Sequence, residues 1–97
     1  MSEKYIKQIS NILQMLENLD RDLNLSSFNE TEKKIYYTIA NQVHKNGQCN
    51  ISDVINASGF SRSTVYKSIK AFEDKKMVVL VQSNYDKREV FISLAIA

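Results

Sequence analysis

The sequence predicts a mainly helical chain that closes with a small β-hairpin, an α+β class. Three observations predict it. Apolar residues recur at heptad spacing over residues 3–24. Two short helical segments meet at Ala57-Ser58-Gly59-Phe60-Ser61, around one of only two glycines in the chain. From Met77 onward the apolar period drops from near 3.6 to 2.

The first helix spans residues 3–24. Tyr5, Ile9, Ile12, Leu16, Leu19 and Leu23 alternate in steps of four and three, a seam that a partner helix could cover. Ile6 and Leu13 widen the stripe. Asn24-Leu25-Ser26-Ser27 breaks the pattern and reads as a connection. Residues 1–27 are therefore expected to form a dimerisation helix with its connection, and residues 28–97 a second domain.

A second helix is expected from near Asn29, where a capping residue precedes Glu32 by three positions. Ile35, Ile39, Ala40 and Val43 supply its apolar stripe, and Asn46-Gly47 ends it. Of the adjacent Tyr36 and Tyr37, one is expected in the core and one at the surface. Gln48 to Ile51 reads as a short strand. Asn50 or Ser52 caps a third helix that runs through Ala57, and Ser61 caps a fourth from Arg62 to about Lys75. Val78-Val79-Leu80-Val81 and the run Val90 to Leu94 then form two strands around a polar loop at Asn84-Tyr85-Asp86-Lys87.

Two helices joined by a tight glycine-bearing turn are a helix-turn-helix, whose second helix presents its N-terminal end to the major groove of DNA. Val65, Ile69 and Phe72 share one face of that helix, and Arg62, Ser63, Tyr66, Lys67 and Lys70 lie away from it. Arg62 can bond a guanine edge with two hydrogen bonds. Ser61, Ser63 and Thr64 can bond bases or phosphates. Lys67 and Lys70 suit phosphates, which supply affinity and salt dependence without sequence choice. The net charge of +2 is modest, but residues 1–28 carry −1 and residues 29–97 carry +3.

The run Ser61-Arg62-Ser63-Thr64-Val65-Tyr66-Lys67-Ser68-Ile69-Lys70-Ala71-Phe72, continuing to Val78, resembles the recognition helix and following strand of MarR-type winged helix-turn-helix regulators. Asp86-Lys87-Arg88, ahead of the alternating Val90-Phe91-Ile92-Ser93-Leu94, resembles that family's wing. The resemblance covers about residues 30–95. It implies a winged helix with a long N-terminal dimerisation helix, in which Asp86 orients Arg88 and Arg88 enters the minor groove beside Lys87. A narrow A·T-rich groove favours that insertion. Lys76 stands where the family usually ends its helix with glycine. The chain stops at Ala97, so the family's C-terminal dimerisation helices, and the effector pocket they help form, are expected to be missing.

The expected function is a homodimeric, sequence-specific regulator of transcription that binds double-stranded DNA, with no cofactor and no small-molecule effector. The competing readings are a non-catalytic assembly module and a nonspecific chromatin-like DNA-coating protein. An enzyme is not expected: no glycine loop cradles phosphate, no metal-ligand spacing occurs, and no nucleophile has a matching histidine and acid. Cys49, the single cysteine, reads as a small buried hydrophobe in a cytoplasmic protein. His44 reads as a partly exposed group that interacts favourably with the dipole at a helix end. No run of about 18 apolar residues exists, so no membrane partner is expected.

Overall fold

The computed structural model describes residues 1–95. The chain divides into two compact units, residues 1–30 and 31–97.

The first unit is built on α1 (Glu3–Asp22), and no residue of α1 is buried. The helix ends in a Schellman motif. The amide of Leu25 donates to the Asp20 carbonyl at 2.8 Å and that of Asn24 to the Arg21 carbonyl at 3.2 Å. Asn24 takes the left-handed position at φ 55° that glycine usually fills.

The second unit begins with most of α2 (Glu30–Asn46) and continues through α3 (Ile51–Ser58), α4 (Arg62–Asp74), β1 (Val78–Gln82) and β2 (Val90–Leu94). The two strands pair antiparallel, with Val78 opposite Leu94 and Gln82 opposite Val90. Its core joins Ile35, Tyr36 and Ile39 of α2 to Ile51 and Val54 of α3, and to Val65, Ile69 and Phe72 of α4. Val78 and Ile92 add to it from the hairpin, and Cys49 is fully buried. The rings of Tyr36 and Phe72 meet edge to face at 5.3 Å, a geometry that suits their quadrupoles. Tyr36 is thus the core tyrosine of the pair, and burial raises its hydroxyl pKa. Tyr37 is half-buried.

The sequence signals place these elements well, with one difference. The strand expected at Gln48 to Ile51 contracts to a single bridge between Asn50 and Phe91. The reason is that Asn50 is committed to α3. Its side chain accepts from the Asp53 amide at 2.7 Å, and the Asp53 carboxylate accepts from the Asn50 amide at 3.1 Å. That capping box settles the choice between Asn50 and Ser52 in favour of Asn50. Phe60, in the turn of the helix-turn-helix, is half-buried, and its ring centroid lies 5.7 Å from the Lys34 ammonium. Ser68, a polar residue on the core face of α4, is buried.

Candidate nucleic-acid interface

The turn between α3 and α4 depends on Gly59. Its φ of 76° is left-handed, and its amide closes α3 by donating to the Ile55 carbonyl. Ser61 then opens α4. Its hydroxyl oxygen accepts from the Thr64 amide at 3.3 Å and donates to the Thr64 hydroxyl at 2.9 Å. Ser61 and Thr64 are thus engaged with each other in the cap, and Thr64 is half-buried on the flank of the helix. Arg62, Ser63, Tyr66, Lys67 and Lys70 are exposed. Burial of Val65, Ser68, Ile69 and Phe72 fixes the roll of α4 and therefore which residues face outward.

The wing loop is ordered by its own short side chains. The Ser83 hydroxyl accepts from the amides of Tyr85 at 3.1 Å and Asp86 at 3.2 Å. The Asp86 carboxylate then accepts from both the amide and the Nε of Arg88, at 2.9 and 3.3 Å. Asp86 therefore fixes the backbone and the side chain of Arg88 with one oxygen. The Arg88 side chain is 93% exposed, so this ion pair orients more than it stabilises. Lys87 and Tyr85 are exposed at the same end.

Arg62 and Arg88 come together. With Asn50, Ser52, Asp86 and Glu89 they line one open cleft of about 490 Å³ between the first turns of α3 and α4 and the wing. Tyr66 joins Arg62 and Arg88 at a smaller recess of the same region. Lys67 and Lys70 lie elsewhere, along an apolar groove of about 290 Å³ with Ile69, Glu73 and Leu80. Sequence reasoning missed Asn50, Ser52 and Glu89 as cleft residues. Asn50 and Ser52 were weighed only as caps, and nothing local marks Glu89, whose side chain meets Asn50 across 39 positions of sequence.

The turn after α4 answers the anomaly at Lys76. The helix ends in a second Schellman motif, with the Met77 amide donating to the Phe72 carbonyl and the Lys76 amide to the Glu73 carbonyl, both at 2.9 Å. Lys76 holds the left-handed position at φ 61°. The geometry that glycine serves is present, and a lysine bears it.

Residues 23–92 match the protein family described as sugar-specific transcriptional regulator TrmB. The chain belongs to that family. It is a DNA-binding transcription regulator of winged helix-turn-helix fold. No curated protein sequence matches it. Among solved structures it is similar to a mutant MepR from a multidrug-resistant clinical isolate of S. aureus, at 21% identity and a TM-score of 0.65, covering 98% of this chain and 66% of that one. It is also similar to the heme sensor PefR from Streptococcus agalactiae in complex with heme, at 20% identity and a TM-score of 0.60, covering 98% and 65%. A third likeness is to BpsR from Bordetella bronchiseptica, whose DNA binding is regulated by 6-hydroxynicotinic acid, at 16% identity and a TM-score of 0.56, covering 91% and 67%. The chain thus spans about two thirds of the length of these relatives. At such identities the likeness is one of fold.

The MarR resemblance is therefore right at the level of the winged-helix regulator, while the family matched is TrmB. The expectation that no small-molecule effector acts on the chain finds no support, because these relatives include regulators that bind one. No helix among the described residues is long and apolar enough to cross a membrane.

Proposed function

We propose that the chain binds double-stranded DNA sequence-specifically as a homodimer, with α4 in the major groove and the wing in the minor groove. One observation carries this reading. Arg62, in the first turn of the recognition helix, and Arg88, on the wing, line the same open cleft, and Asp86 aims the second of them. Arg62 reads a base edge, Lys67 and Lys70 neutralise phosphates, and Arg88 enters a narrow minor groove. The α1 seam supplies the pairing, so two modules meet two half-sites about 10 bp apart or a multiple of that. TrmB membership favours this reading over a protein-assembly module.

Selection of bound sequences from random duplexes tests it. A two-fold related pair of half-sites is the expected product. Affinity should fall steeply between about 50 and 200 mM salt, and Arg88→Ala should weaken binding and relax preference at the positions flanking the major-groove contacts. If the chain ignores duplex DNA at about 50 mM salt, the assembly reading takes its place.

A further inference from the structure

Glu89 lies next to Arg88, on the wing side of the cleft that Arg62 and Arg88 line. A carboxylate there opposes phosphate, yet its geometry gives it a partner. Its Oε1 accepts a hydrogen bond of 2.9 Å from Nδ2 of Asn50. Asn50 uses its other amide atom, Oδ1, to cap α3. The same residue bridges to Phe91, and the neighbouring Cys49 carbonyl accepts from the Ile92 amide at 2.7 Å. On the wing side, the Glu89 amide donates to the Asp86 carbonyl at 3.0 Å, and the Glu89 carbonyl accepts from the Ser83 amide at 2.9 Å. Glu89 thus joins the closed wing loop, which holds Arg88, to the first turn of α3.

We infer that Glu89 is a positioning residue: through Asn50 it clasps the base of the wing to the N-cap of α3 and so fixes where Arg88 is presented relative to Arg62. This inference rests on the DNA-binding reading above. The chemistry of the clasp is selective. The Asn50 amide accepts from the α3 backbone with Oδ1 and donates to the carboxylate with Nδ2, whereas aspartate at position 50, an acceptor only when ionised, would keep the cap and lose the clasp. Arg88 and its aiming residue Asp86 are joined by hydrogen bonds that are internal to the wing. Glu89 supplies the side-chain link from that pair to the helix-turn-helix.

Two measurements on the full chain test it. The first needs no DNA. In Glu89→Ala the amide of Ile92 should exchange with solvent about tenfold faster, as expected for loss of a charge-assisted hydrogen bond at its anchor, and Glu89→Gln should fall between wild type and Glu89→Ala because its Oε1 still accepts from Asn50 without the charge. Unchanged exchange in Glu89→Ala overturns the clasp. The second is a double-mutant cycle read by binding to the duplex selected by the wild type. Glu89→Ala should lose the flanking preference that Arg88→Ala loses, and should cost nothing more once Arg88 is alanine. Additive losses overturn the positioning role, as does equal tightening by Glu89→Ala and Glu89→Gln, the mark of a carboxylate acting only by repelling phosphate. If the wild type binds no duplex, the DNA-binding reading fails and takes the positioning role with it, while the exchange result still decides whether the clasp exists.

Discussion

α1 and α4 are built on the same pattern and end in the same motif, yet one stripe is filled and the other is bare. In α4 the apolar residues Val65, Ile69 and Phe72 are essentially without exposure. Every apolar residue of the α1 seam and its flank stays accessible, from 38% at Leu16 to 58% at Tyr5. Helical periodicity therefore announces a stripe that needs covering without saying what covers it. A helix whose apolar residues all stay this accessible draws little stability from packing. The proposed second copy, which would lay the same seam against it, resolves that deficit. The difference also divides labour: changes in α4 and its neighbours should be felt as folding, and changes in α1 as assembly.

The largest test of that division is Leu16→Glu. A charge in the middle of the seam should abolish pairing, seen as a shift from dimer to monomer in sedimentation at micromolar concentration. Operator affinity should fall with it, because two half-sites would no longer be held together. The unfolding midpoint of residues 31–97 should stay where it was. A chain that still sediments as a dimer would remove α1 from the interface.

Phe72→Ala should do the reverse. Phe72 is fully buried against Tyr36, so truncation should cost about 3–5 kcal/mol in denaturant unfolding and leave the seam intact. Cys49 provides an internal reporter. Burial, and then the charge of Asp53, raises its thiol pKa to about 11. The thiol is therefore protonated as well as sealed at neutral pH, and alkylation should wait on opening of the core. Phe72→Ala should speed that alkylation, and Leu16→Glu should not. The same shift has a sign for stability. Because the folded state holds its proton more tightly, the contribution is complete below the ordinary value near 9 and is lost as pH rises through about 11.

How far the sequence could be read follows the range of the interactions concerned. α1, α4 and the hairpin were legible because each rests on a local period. Asp86 and Arg88 were legible because they are two positions apart and their hydrogen bond closes within the loop. The Asn50–Glu89 clasp was not, since neither residue carries a local sign of a partner 39 positions away. Thr64 illustrates a subtler limit. A threonine near a recognition-helix N-terminus is equally suited to DNA and to a cap, and here it sits within the cap of Ser61. Choosing between MarR and TrmB had no local answer either, because the recognition-helix and wing patterns are shared features of winged helices.

The smallest effects sharpen the comparison at the point where α1 and α4 agree. Both end in a Schellman motif whose left-handed residue is not glycine: Asn24 at φ 55° and Lys76 at φ 61°. Gly59, at φ 76° with nothing within 4 Å of an added Cβ, calibrates the backbone term alone, so Gly59→Ala should cost about 1 kcal/mol without any clash. Lysine has no side-chain means of easing that conformation, whereas asparagine visits it readily through local hydrogen bonding. Lys76→Gly should therefore stabilise residues 31–97 by about 1 kcal/mol in denaturant unfolding, less the entropy that glycine adds to the unfolded chain. Asn24→Gly should change the helicity of α1 by no more than about 0.3 kcal/mol per chain. Equal gains at the two sites would mean that the side chain at the left-handed position does not matter. A loss at Lys76 would mean that its side chain contributes more than its backbone costs, giving the departure from glycine a role in the turn that leads into the wing.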